Sequence, residues 1–143
     1  MKMYHRLVTT IAAAAAFATV PVQTQETTRI ARVPFEFSIN DANLPRGTYR
    51  LSRMDGHREM LLVRGDRKGV FVRVSEQDIR HDGAGSSLLF HRYGDQYFLR
   101  EVRWDGTARL DLPETRAERD AAEGRSGRAA AIMQPVVVTA EDR

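Results

Sequence analysis

Three histidines, His57, His81 and His91, carry the side chains best suited to proton transfer or metal binding. None has a second His or a carboxylate at the i+3 or i+4 position of a predicted helix, the spacing by which zinc sites announce themselves. His57 and His81 fall in turns or loops. His91 falls in a strand, where a half-buried aromatic ring accounts for it. Ser86 and Ser87 follow Gly83-Ala84-Gly85, yet a nucleophile elbow needs Gly-x-Ser-x-Gly between a strand and a helix. The same glycines are too few for a phosphate-binding loop, and no helix pattern follows them. Asp105 and Asp111 read as turn and surface residues. The chain has no Cys, which removes thiolate nucleophiles, thiolate metal sites and disulfides. No catalytic signature emerges, and no metal or cofactor is implied. A hydrolase would have to use His91 with Asp95 or Glu101.

Recognition chemistry is better placed at a hairpin tip. The stretch Leu88 to Trp104 holds the only Trp of the chain together with Phe90, Tyr93, Tyr97 and Phe98. Gly94-Asp95 at its midpoint reads as a two-residue turn, because Gly takes the positive φ such turns demand. That turn pairs Tyr93 with Gln96, Arg92 with Tyr97, His91 with Phe98 and Phe90 with Leu99. One face then carries Leu88, Phe90, Tyr97 and Leu99, and the other Leu89, Phe98, Val102 and Trp104. Both faces are partly apolar, so both need cover. Arg92, Tyr93, Asp95, Gln96 and Tyr97 are the candidate binding residues, two aromatics among polar groups at a loop apex. The competing role for the two Tyr rings is to cap the core with their hydroxyls in water.

The remaining elements must position this hairpin. Arg29 to Ile39 reads as one strand with Val33, Phe35, Phe37 and Ile39 facing the core, and Pro34 puts it at a sheet edge there or has its pairing begin after the proline. Turns at 40–43 and 44–47 lead into a strand from Thr48 to Met54, with Tyr49 and Leu51 on one side and Arg50 and Ser52 on the other. Asp55-Gly56 links it to Glu59–Arg64, where Met60-Leu61-Leu62-Val63 suggests burial on both faces. Arg64-Gly65-Asp66 spells a tripeptide some adhesion proteins display, but three residues recur by chance and Gly-Asp is read as a turn. Val70, Val72 and Val74 then alternate with Phe71 and Arg73. Residues 75–87 read as a polar loop. A short strand covers Arg109 to Leu112, and Thr115-x-x-Glu118 has the form of a capping box opening a helix within 115–124. Ala117, Ala121 and Ala122 are its apolar side. Ile132 to Thr139 reads as a last strand, at an edge because of Pro135. Seven or eight short strands between turn signals predict an all-β fold, an antiparallel sandwich or small barrel, with one short C-terminal helix.

Residues 1–25 have the layout of a secretory signal peptide. Lys2 and Arg6 precede an apolar run, Leu7 to Val20, and Ala16-Phe17-Ala18 supplies small residues for cleavage between about Ala18 and Gln25. The run is shorter than the ~20 residues a membrane span needs. The mature chain, a single domain over 29–143, is therefore expected in the periplasm or outside the cell, without a transmembrane span. Cleavage takes Lys2 and Arg6 from the 22 basic residues, leaving 20 against 19 acidic, a net of +1. Such a balance gives no electrostatic case for a nucleic-acid partner.

Four segments carry a resemblance. Val33-Pro-Phe-Glu-Phe37, Leu44-Pro-Arg-Gly-Thr-Tyr49, Leu89-Phe-His-Arg-Tyr-Gly-Asp-Gln-Tyr-Phe-Leu99 and Leu112-Pro-Glu-Thr-Arg-Ala-Glu-Arg119 resemble, in order, a family of small uncharacterised secreted bacterial proteins. The resemblance implies an exported β domain and brings no catalytic or ligand-binding residue with it. The expected role is non-enzymatic binding of a cell-envelope component, such as an envelope protein or glycan. A small-ligand carrier with an apolar pocket is the alternative. A barrel in the outer membrane fits less well, because its strands need ~9–11 residues and most runs here are shorter.

Overall fold

The computed structural model describes residues 27–124 and 132–142. Residues 1–25, read from sequence as a signal peptide, lie outside the described residues. Eleven strands and one helix are present among them. The strands are β1 (Thr28–Val33), β2 (Phe37–Ile39), β3 (Ala42–Leu44), β4 (Gly47–Met54), β5 (His57–Arg64) and β6 (Gly69–Arg73). They continue with β7 (Ser75–Asp78), β8 (Ser86–Tyr93), β9 (Gln96–Trp104), β10 (Ala108–Asp111) and β11 (Gln134–Asp142), with helix α1 (Arg116–Ala122) before the last. One sheet runs β3-β2-β9-β8-β11-β1-β4-β5-β6, with β10 on the second half of β9 and β7 on β10. It curls into a nearly closed barrel. The all-β expectation with one short helix holds.

The interior is apolar and filled by side chains. Phe37, Ile39, Leu44, Leu51, Leu61, Val63, Leu88, Phe90 and Leu110 are buried together. Phe35, Phe37 and Tyr49 meet Phe90 or one another edge-on, at centroid separations of 5.0–5.3 Å. Burying one such side chain contributes about 1.5–3 kcal/mol, so this core outweighs any polar cluster in holding the fold.

Several local expectations are corrected. The segment read as one strand from Arg29 to Ile39 breaks at Pro34 into β1 and β2, which pair with different neighbours. Alternation nonetheless survives the break, and Val33, Phe35, Phe37 and Ile39 all reach the core. Part of the segment read as a loop over 75–87 is strand, since β7 pairs with β10 from Ser75 to Asp78. β11 is not an edge strand but lies between β8 and β1. Pro135 is accommodated because β11 meets β1 only from Ala140 onward, leaving its first half with β8 alone. In β5, Leu61 and Val63 are buried, whereas Met60 and Leu62 are only partly covered.

Both central hairpins contain bulges that change which residues face inward. Across β8 and β9 the pairs from Tyr93–Gln96 to Phe90–Leu99 are those expected of the Gly94-Asp95 turn. Leu89 then lies opposite Glu101, so Arg100 is an extra residue. One inserted residue inverts the alternation beyond it. Val102 and Trp104, expected beside Phe98, consequently join Leu88, Phe90 and Leu99 in the core. Between β4 and β5 the pairing jumps from Met54–His57 to Arg53–Leu61, leaving Arg58, Glu59 and Met60 without counterparts on β4. An odd insertion again sets the faces, turning Leu61 and Val63 inward beside Leu51 and bringing Arg64 opposite Arg50.

Candidate functional site

The hairpin separates the five tip candidates. Gly94 has φ 64°, the conformation the turn requires. On the core side, Tyr97 stacks against Phe35 at 3.9 Å between centroids, with the Arg92 guanidinium 5.4 Å from its own ring centroid. Arg92 Nε also donates to the Gly94 carbonyl at 2.6 Å. Those two contacts engage the Tyr97 ring internally, as an anchor of the turn. Asp95, Gln96 and Tyr97 line a shallow concavity of about 350 Å³ with Glu36, Phe37, Ser38 and Asn43. Tyr93 points the other way and is buried.

Tyr93 belongs to a cluster beneath α1. Its ring and Phe98 pack against Ala121 and Ala122, so the helix covers the hairpin's outer face. Ala117 is exposed, and Glu118 takes the inward position, one turn from Ala121 and Ala122 on the same helix face. The Thr115 Oγ1 accepts from the Glu118 backbone N–H at 3.2 Å, capping the helix as its sequence suggests. The Glu118 carboxylate does not complete a capping box. With 1% of its side chain exposed, it accepts from Arg100 Nη1 at 2.7 Å and Tyr93 Oη at 3.3 Å, and it hydrogen-bonds His91 Nδ1 at 2.9 Å. Burial, followed by the negative charge of Glu118, raises the Tyr93 phenol above its ordinary value. The carboxylate beside His91 is thus Glu118, and not Asp95 or Glu101. Glu118 orients the imidazole as a triad carboxylate would, but Tyr93 bonds the same carboxylate and not the ring. Among the described residues no hydroxyl is hydrogen-bonded to His91 Nε2, so the His91–Glu118 pair carries no side-chain nucleophile of the Ser–His–acid kind.

A second polar cluster lies where β8, β9 and β1 meet. Buried Arg29 donates through Nε to Ser86 Oγ at 3.0 Å and through Nη2 to the Asp105 carboxylate. Asp105 N–H donates to Ser86 Oγ at 3.0 Å, and the Arg29 guanidinium lies 5.1 Å from the Trp104 ring centroid. Ser86 and Asp105 are therefore engaged in structural bonds. Asp105 is more than the turn residue it was taken for in the sequence. Arg64 ends β5 and Gly65-Asp66 opens the turn into β6, where the glycine is explained by packing, since a Cβ there would sit 2.8 Å from Tyr49 Cε1.

The outer face of β4, β5 and β6 differs from all of these. Arg50 and Arg64 are direct cross-strand partners, and both are exposed. Among the described residues neither has a recorded hydrogen bond or ion pair, whereas Arg53 holds Glu76 at 2.6 Å and Arg73 holds Glu59 at 2.9 Å. Like charges directly opposite each other destabilise a sheet. Two pairs along the same strands, Leu62 lies opposite Phe71, which is 55% exposed, and opposite Ser52 on its other side. These residues line an open groove of about 400 Å³ with Thr28, Arg53, Met54 and Asp55. Alternation placed Arg50 off the core from sequence alone. The bulge in β5, which brings Arg64 beside it, left no recognisable signal.

Among the described residues no group of three or more His, Asp or Glu side chains is arranged to hold a metal ion, and no helix is long and apolar enough to cross a membrane. No family model, curated protein or solved structure matches this chain.

Proposed function

We propose that the chain is exported and acts as a non-enzymatic module that binds an anionic component of the cell envelope. The observation that carries this reading is the Arg50–Arg64 pair beside exposed Phe71 on one open sheet face. Two arginines paired across strands, neither in an ion pair among the described residues, cost stability unless a ligand supplies the counter-charge. Arginine suits that task because its planar fork takes a phosphate or carboxylate through two parallel hydrogen bonds. Leu62, Phe71 and Met54 add apolar contact next to the charge. Export rests on the sequence pattern of residues 1–25 and accords with the secreted proteins the chain resembles.

The test is retention on isolated cell envelopes. The processed chain, recovered from the cell that exports it, should sediment with envelopes, and less of it should do so as salt rises. The paired substitution Arg50→Gln with Arg64→Gln should abolish most of that retention while leaving the thermal melt intact. Equal retention of both proteins would overturn the reading.

A further inference from the structure

Resting on the envelope-binding reading above, we infer that the β4–β6 face docks on the surface of an anionic phospholipid bilayer, with Arg50 and Arg64 at the phosphates. The residues fall into bands that a bilayer interface would match. Arg50 and Arg64 form one cross-strand rung, and Ser52, Leu62 and Phe71 form another rung along the same strands. Met54 stands exposed beyond them, and Asp55 also lines the groove. Gly69 is the cross-strand neighbour of Arg64 on β6, so that position of the rung adds no side chain beside Arg64. Interfacial binders set cations at the headgroups and large apolar side chains at the acyl boundary, and both are present here on one sheet face. A groove of about 400 Å³ admits a headgroup with the first carbons of its chains, but not a whole lipid. An apolar rim next to the cations also favours a lipid surface over a wholly polar acidic peptide.

The measurement is co-sedimentation of the processed chain, its N-terminus read by mass spectrometry, with vesicles. One set is phosphatidylcholine alone and the other carries phosphatidylglycerol. Binding should appear with phosphatidylglycerol only. It should fall about thirtyfold for Arg50→Gln with Arg64→Gln, the loss expected of two interfacial arginines. Phe71→Ser should weaken it severalfold at unchanged charge, and Arg50→Lys with Arg64→Lys should retain most of it. Binding that ignores lipid charge, or that survives the Gln pair, overturns the inference. If vesicles fail while retention on envelopes still depends on Arg50 and Arg64, the lipid assignment falls and the broader reading stands. If neither depends on them, both fall.

Discussion

The ground beneath α1 and the open face of β4–β6 handle charge in opposite ways. Beneath the helix, one carboxylate, Glu118, is enclosed by Arg100, His91 and Tyr93. On the open face, two arginines are cross-strand partners exposed to solvent, and among the described residues neither holds a carboxylate. A buried charge is costly unless it is paired, so Glu118 is tied to the fold and its partners are fixed by it. An exposed pair can be left unbalanced at the cost of a few tenths of a kcal/mol, because water screens it. The first arrangement holds a helix of seven residues, too short to be stable alone, against the hairpin. The second leaves binding capacity unused within the chain. Paired and buried charge therefore marks structure here, and the exposed like-charged cross-strand pair marks the candidate site.

The largest effect should come from breaking the buried cluster. Glu118→Gln leaves the partly exposed Arg100 without its counter-ion and should cost about 1.5–3 kcal/mol, read as a lower urea midpoint. Envelope retention at temperatures where the variant stays folded should be unchanged. A variant as stable as the parent would show that the cluster is not what anchors α1.

Alkaline pH probes the same cluster more gently. Folding holds Tyr93 neutral above the pH at which the unfolded chain's phenol ionises. Its contribution is full below about pH 10 and is lost as pH rises beyond that value. Tyr49, raised by burial and by the negative charge of Asp66, adds to the same loss. Melting temperature should fall above pH 10, and less steeply in Tyr93→Phe. Parallel pH profiles for the two proteins would remove Tyr93 from the account.

The smallest change is the one with opposite sign. Arg50→Gln alone relieves like-charge repulsion and should raise stability by a few tenths of a kcal/mol, seen as a slightly higher melting temperature at low salt. High salt should erase the difference. A loss of stability would mean that Arg50 is held by the fold after all, and the contrast between the two regions would fail.

Much of the architecture was legible in local sequence. Gly94-Asp95 and Asp55-Gly56 give the turns, Thr115 gives the helix start, and period-2 alternation gives the inward residues Val33, Phe37, Tyr49 and Leu51. These follow from what a residue and its near neighbours permit. The tip candidates were legible as a group, but not their division, because Tyr93 and Tyr97 lie on opposite faces whose covers come from distant segments, α1 and Phe35.

Bulges were not legible. Arg100 is an extra residue where β9 passes α1, and its side chain meets Glu118 across the hairpin's outer face. Whether a strand absorbs one more residue depends on such remote partners, and one residue is enough to turn every later side chain over. That is why Trp104 lies in the core and Arg64 lies opposite Arg50. The sequence by itself determined an all-β chain with its turns and its helix, since these depend on neighbours along the chain. Only the tertiary structure decided register beyond the bulges, the burial of Glu118 and the pairing of Arg50 with Arg64, because each depends on which strands come to lie side by side.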